Sequence, residues 1–232
     1  GFNPLINGQH HLFELVGLNQ GVFIMRDEQT NTTWNHLDGR ATKGPLEGHK
    51  LSLIPLQQTT WEAWLQENPK TTTLSMETDY KEHYQRHIKI GQFRTDEAIF
   101  GDKRMTPNHL ILGIEINDHF RAYPLDKLKE SGGVVNENFQ GHHIVAAFDH
   151  LTGNAMAYFA TVKGAQIEFQ LFREDGRVFL KDPKSHSLWT MGGHPISGPL
   201  AKTNLKFVPS IISEWYGWSA YHPLTSIHSK SN

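Results

Sequence analysis

The chain has 232 residues and a mass of 26.4 kDa, with 22 Lys and Arg against 24 Asp and Glu, a net charge of −2 and no cysteine. An aromatic content of 11% beside only 20% charged residues excludes a disordered chain. The near-neutral charge gives no electrostatic footprint for nucleic acid, and the absence of Cys excludes disulfides, thiolate metal sites and a Cys nucleophile.

From the N-terminal end, Leu5-Ile6-Asn7-Gly8-Gln9 reads as strand and turn rather than as a cleavable leader. Asp27 stands seven residues before Trp34, and Gly44-Pro45-Leu46 follows. Thr59-Thr60-Trp61-Glu62 has the capping-box form and predicts a helix that Pro69 ends. Residues 76–108 are polar and read as a linker or surface excursion, with a short helix expected over 80–87. Residues 110–116 and 120–123 flank Asn117-Asp118-His119, a hairpin signal. Pro124 opens a short helix that Gly132-Gly133 closes. Short β-rich runs at 134–136, 143–148, 155–161, 167–172 and 178–180 are parted by Gln140-Gly141, Thr152-Gly153, Lys163-Gly164 and Asp175-Gly176. A closing helix over 214–221 stops at Pro223. No apolar run approaches the roughly 18 residues that cross a bilayer.

The most informative feature is an internal repeat. Asp27 to Trp34 aligns with Asp182 to Trp189, and Gly44-Pro45-Leu46 with Gly198-Pro199-Leu200. From there Leu51, Pro55, Trp61, Trp64 and Pro69 fall on Leu205, Pro209, Trp215, Trp218 and Pro223 without a gap. Upstream, Gly8, Phe13 and Leu15 pair with Gly164, Phe169 and Leu171. The second copy has a lead-in over about 109–163 with no counterpart in the first, so residue 1 is expected to fall inside a repeat. The predicted fold is α+β and β-rich: a tandem duplication of an antiparallel meander closed by a short helix, packed with pseudo-twofold symmetry. The expected organisation is a headless first repeat (1–75), the linker or excursion (76–108) and a second repeat (109–232).

Gly113-Ile114-Glu115-Ile116, Arg121-Ala122-Tyr123-Pro124-Leu125, Val134-Val135-Asn136-Glu137, Asp182, Leu188-Trp189 and Gly198-Pro199-Leu200 together resemble a bacterial family, domain of unknown function 3179. The resemblance covers nearly the whole chain and implies an extracytoplasmic, periplasmic or cell-surface, location; it implies no activity. Many members carry a Cys-Pro-Leu-Cys-Gly segment where this chain has Asp149-His150-Leu151-Thr152-Gly153.

Fifteen His residues invite a search for metal sites. His83 and His87 have the i, i+4 spacing that sets two imidazoles on one helix face, without the Glu of the zincin motif. Adjacent strand residues point to opposite faces, so neither His10-His11 nor His142-His143 can chelate one ion; both pairs read as hairpin-mouth surface residues. Asp149 and His150 could orient a base or hold a cation, although an Asp ahead of Thr152-Gly153 also suits a turn. Asn136 and Glu137 lie between apolar strand residues, where a buried Asn ties down backbone and a ligand or metal contact is the alternative. Asp27 with Trp34 and Asp182 with Trp189 recur in both copies, which points to scaffold: Asp in a turn, Trp in the core. His36 corresponds to Met191, so a site built on it would exist once.

P-loop, dinucleotide-binding and nucleophile-elbow motifs are all missing from the sequence. The leading reading is a binding or structural module with a small-molecule ligand in the cleft between repeats, using Asn136, Glu137, Asp149 and His150 as candidate contacts. The alternative is a metal-dependent enzyme, a hydrolase being one option, that holds a divalent or transition metal cation with Asp149, His150 and Glu137 or His36; His83 and His87 are further candidate ligands. A third reading makes the Trp-rich helices a partner surface; its rival buries Trp61, Trp64, Trp215 and Trp218 against the sheets.

Overall fold

Each tight hairpin closes on two residues in the left-handed region, the backbone that two-residue turns between twisted strands demand. Asn7-Gly8, Gln20-Gly21, Asn117-Asp118, Gln140-Gly141, Lys163-Gly164 and Asp175-Gly176 all do so. The structure, a computed structural model, describes residues 1–75, 77–81 and 101–229. Within them the fold is β-rich α+β, built of antiparallel sheets with short helices. The helix expected over 80–87 falls almost wholly outside the described residues.

In the first half, β1 (Leu5–Ile6) and β2 (Gln9–His10) form a small ribbon. A four-stranded meander follows: β3 (Phe13–Asn19), β4 (Val22–Asp27), β5 (Thr33–Asn35) and β6 (Ala41–Lys43). Helix α1 (Trp61–Glu67) closes the half. Its cap lies one residue later than the capping box predicts: Thr60 Oγ1, not Thr59, accepts from Ala63 N at 3.3 Å.

The second half opens with the predicted hairpin β7 (Leu110–Ile116) and β8 (His119–Pro124), then helix α2 (Leu125–Glu130). Strands β9 (Val134–Phe139), β10 (His142–Asp149) and β11 (Asn154–Phe159) form the central layer. The ribbon β12 (Thr161–Val162) with β13 (Ala165–Gln166) leads to a second meander, β14 (Gln170–Glu174), β15 (Arg177–Lys181), β16 (Leu188–Thr190) and β17 (Pro195–Ser197). Strand β18 (Lys206–Phe207) joins β11, β19 (Ser210–Glu214) joins β7, helix α3 (Trp215–Tyr221) follows, and β20 (Ser226–Ile227) lies parallel to β8.

The two meanders share their internal bonding. Asp27 accepts from Thr30 and Asp182 from Ser185, while Thr32 and Ser187 bond back to those hydroxyls. Register shifts fall at Thr33/Trp34 and Leu188/Trp189, and both indoles are fully buried. Gly44 (φ 120°) and Gly198 (φ 96°) close the motif, because a Cβ there would lie 2.8 Å and 2.5 Å from the Cα of Thr32 and Ser187.

Strand β10 is buried on both faces, as a central strand between two layers must be. Ile144, Ala146 and Phe148 meet Leu112, Tyr123 and Leu128, whereas Val145 and Ala147 meet Phe169, Leu180 and Trp189. The closing helices cross over: Trp215 and Trp218 of α3 bury Val22 of the first meander, and α1 borders the Gly176 turn of the second. Residues 104–107 are docked on α3, with Arg104 donating to the carbonyl oxygens of Pro223 and Thr225. The expected burial of all four helix tryptophans holds for Trp215 and Trp218 only. Trp61 is 52% exposed and Trp64 half-buried; it is Ala63, Gln66 and Glu67 of α1 that face the second half, at Asp149, Thr152, Gly176 and Val178.

Candidate functional site

The predicted site residues are distributed among separate elements. Asn136 Nδ2 donates to Phe169 O at 2.9 Å and its Oδ1 accepts from Phe169 N at 2.8 Å, so both ends of its amide tie β9 to the backbone before β14. Glu137 accepts from Tyr123 Oη, lies 3.1 Å from Arg121 Nε and faces His228 at 3.8 Å. Burial pushes its carboxyl up, but His228, Tyr123 and the positive charge of Arg121 outweigh it and hold the group below the usual range. Asp149 is buried in its turn, accepting from Thr152 Oγ1 at 2.7 Å and Leu151 N at 3.2 Å and pairing with Arg173. Again burial raises and the donors lower its pKa, with the donors prevailing.

His150 is exposed beside Asp149, and His36 is exposed on the first meander with its ring edge-on to Phe23 at 5.9 Å. His83 and His87 lie outside the described residues. Among the described residues, no three His, Asp or Glu side chains converge as a metal-binding group. One member of each His pair departs from the hairpin-mouth surface reading. His11 is buried with Nδ1 3.2 Å from Asp27 Oδ1, and His143 is buried with Nε2 3.1 Å from Ile167 O. Alternation along the strand turns one imidazole of each pair inward, where a carboxylate or carbonyl receives it.

A different polar cluster forms where the halves meet. Asp38, Arg40 and Lys50 come from the first half, and Glu115 and His222 from the second. Arg40 Nη2 donates to Glu115 Oε1 at 3.0 Å, Lys50 pairs with Glu115, and Arg40 Nε lies 3.4 Å from Asp38 Oδ2. His222 is stacked on Phe120 with ring centroids 3.8 Å apart, and its Nε2 is 3.8 Å from Asp38 Oδ2. Burial and the positive charges of Arg40 and Lys50 push His222 down to about 3, so the imidazole is neutral at physiological pH. Burial raises the Asp38 carboxyl.

Asp38, Lys50, Glu115 and His222 line a cavity of about 30 Å³ together with Leu37, Leu53, Ser210 and Ile211. Two polar atoms on its wall, Ser210 Oγ and His222 Nε2, are buried without a hydrogen-bond partner. Such groups are costly unless something satisfies them. Leu53, Ser210 and Ile211 also wall a cleft of about 390 Å³. Its sides are Leu53–Gln58 of the first half and Ser210–Ile212 of the second, with Met156 beneath and His36 at one end. The cleft is apolar along Leu53, Ile54, Leu56, Ile211 and Ile212 and polar at His36, Gln57, Gln58 and Ser210.

Sequence reasoning named the cleft between repeats but only His36 among its residues. The others had a faint signal in the repeat itself, in positions where the copies differ. His222 follows α3 where Asn68 follows α1, and Lys50 aligns with Asn204. Glu115 lies in the lead-in and gave no such signal.

No helix among the described residues is long and apolar enough to cross a membrane. No curated protein and no solved structure shows a detectable match to the chain. The family model described as "Protein of unknown function (DUF3179)" matches residues 1–225, nearly the full length and every element above except β20, and the chain belongs to that family.

Proposed function

We propose that the protein is a binding module that takes a small, largely apolar molecule bearing one hydrogen-bonding head. The body of the ligand lies along Leu53, Ile54, Ile211 and Ile212, and its head points toward Ser210 and His222. One observation carries the reading: an open cleft of about 390 Å³ shares Leu53, Ser210 and Ile211 with a small cavity in which two buried polar atoms, Ser210 Oγ and His222 Nε2, lack a protein hydrogen-bond partner. The volume lies within the range of small-molecule sites, which favour junctions of this kind. A neutral His222 accepts or donates one hydrogen bond without placing a charge opposite an apolar ligand.

The reading assigns no catalytic step. Ser210 and His222 lack the hydrogen bond that would make a nucleophile and base of them. Asp149 and Glu137 are engaged by Arg173, Tyr123 and Arg121, which weighs against their use as metal ligands. The family resemblance supports an extracytoplasmic setting, which fractionation of the producing cell tests.

Thermal denaturation with a panel of short-chain alcohols, amides and carboxylic acids tests the ligand reading. A true ligand at 100 times its Kd adds about 2.7 kcal/mol, a rise in Tm of roughly 5–10 °C for a chain of this size. Gln58→Trp, which fills the exposed side of the cleft, removes the rise. Ser210→Ala weakens polar-headed ligands about 5- to 10-fold and leaves others unchanged. A panel without a hit, or hits indifferent to Gln58→Trp, overturns the proposal.

A further inference from the structure

The first meander turns to solvent much of the face that the second meander buries, with Phe13 and Met25 half-buried around Trp34. In the second half Phe169, Val178, Leu180 and Met191 form one core with Val145, Ala147, Met156 and Tyr158 of the central layer. The repeat sets Phe13, Phe23, Met25 and His36 at the first four of these positions. Phe23 is 48% exposed where Val178 is 8%, and His36 is exposed where Met191 is buried. Leu15 and Leu18 on the neighbouring strand are 62% and 65% exposed. A contiguous apolar face of this kind marks an interaction surface.

The backbone register says what fits it. Tyr158 of β11 pairs with Phe207 of β18, and Phe2 makes the equivalent antiparallel bridge to Leu53. The ribbon that pairs Leu5 with His10 and Ile6 with Gln9 repeats the one that pairs Thr161 with Gln166 and Val162 with Ala165. Phe2 therefore stands, relative to the first meander, where β11 stands relative to the second.

We propose that the β3–β4 face is the docking surface for a polypeptide β layer built like β9–β11. That layer has three antiparallel strands and lies alongside Phe2. Its inward side chains are small and apolar, as Val145, Ala147 and Met156 are, because sheets packed face to face sit about 10 Å apart. The surface meets the ligand cleft at His36, and its test does not depend on a ligand.

Two experiments decide it. In the unmodified chain, Leu15→Lys with Phe23→Lys should cut binding of a dye that reports exposed apolar surface several-fold while Tm moves by only a degree or two. A large loss of Tm would mean that the face is already covered. In the second experiment, a copy of residues 134–156 is joined directly ahead of Gly1, since the register sets Gly1 opposite Ala157. Dye binding should fall, and amide exchange over 13–27 should slow by about tenfold or more. Asp at the added copy's counterparts of Val145 and Ala147 should reverse both effects. Unchanged exchange in the extended chain sinks the proposal. So does a native dimer that Leu15→Lys with Phe23→Lys dissociates, because the occupant would then be a second copy of this chain. Should the extended chain fail to fold, the free 134–156 peptide added to the unmodified chain reads the same protection.

Discussion

Helices α1 and α3 carry the same pair of tryptophans one turn apart, end in nearly the same backbone and use the second indole in the same way. Asn68 caps α1 at φ −129°, ψ 67° and His222 caps α3 at φ −126°, ψ 63°. Trp64 Nε1 donates to Thr71 Oγ1 at 2.9 Å, and Trp218 Nε1 to Thr225 Oγ1 at 3.0 Å. Yet Trp215 is fully buried and Trp61 is 52% exposed. Local sequence specifies the helix, its end and its indole hydrogen bond. Burial depends on what lies beneath, and only α3 has the β7 sheet and Val22 there.

The sharpest way to break that comparison is to truncate the first tryptophan of each helix. Trp215→Ala should cost about 3–5 kcal/mol, the range for a buried large side chain, whereas Trp61→Ala should stay within about 0.5 kcal/mol. Urea titration reads both, and equal losses would show that α1 is covered in solution.

The meanders offer a second contrast. Asp27 accepts from Trp34 Nε1 at 2.8 Å and from Thr30, with His11 also in reach. Asp182 holds only its own turn, and Trp189 Nε1 goes instead to Thr203 O at 3.1 Å. Asp27→Ala should therefore cost about 3 kcal/mol and Asp182→Ala about 2 kcal/mol. Burial raises both carboxyls, but hydrogen bonds hold them below the unfolded value of 3.8. The stability they add is present above that value and is lost as pH falls through the lower folded pKa. Acid unfolding of each variant should show a shallower loss in that window.

A third prediction exchanges the caps. His222 titrates at about 3 in the fold and near 6.5 when unfolded, so the unfolded chain binds the extra proton between those limits. Stability then rises with pH across that window by up to about 1.4 kcal/mol per unit. His222→Asn, which copies Asn68, should remove that slope; a slope that persists would assign it to other groups. The smallest contrast is between the hydroxyls that receive the indoles. Thr225→Val should cost about 1–2 kcal/mol and Thr71→Val about 0.5–1 kcal/mol, because only the first leaves a buried N–H unpaired.

The hairpins and the scaffold role of Asp27, Trp34, Asp182 and Trp189 were legible because they rest on short-range rules. Strand alternation, left-handed turn residues and a carboxylate bonding three residues ahead all operate within one hairpin. Candidate chemistry was less legible. Asp149 and Glu137 attracted interest as carboxylates next to apolar strands, but Arg173 and Tyr123, which engage them, come from strands distant in sequence. The junction cluster left only the faint signal at Lys50 and His222 for the same reason: Arg40 and Glu115 are 75 residues apart, and no local pattern announces their meeting.

The sequence by itself determined the β-rich class, the family and the bonding within each meander, since these follow from residues near one another along the chain. Only the tertiary structure decided which copy of each motif is covered, and which charges share a cavity. Burial and hydrogen-bond satisfaction are properties of what packs opposite a residue, and the same Trp or His takes either fate according to the layer that meets it.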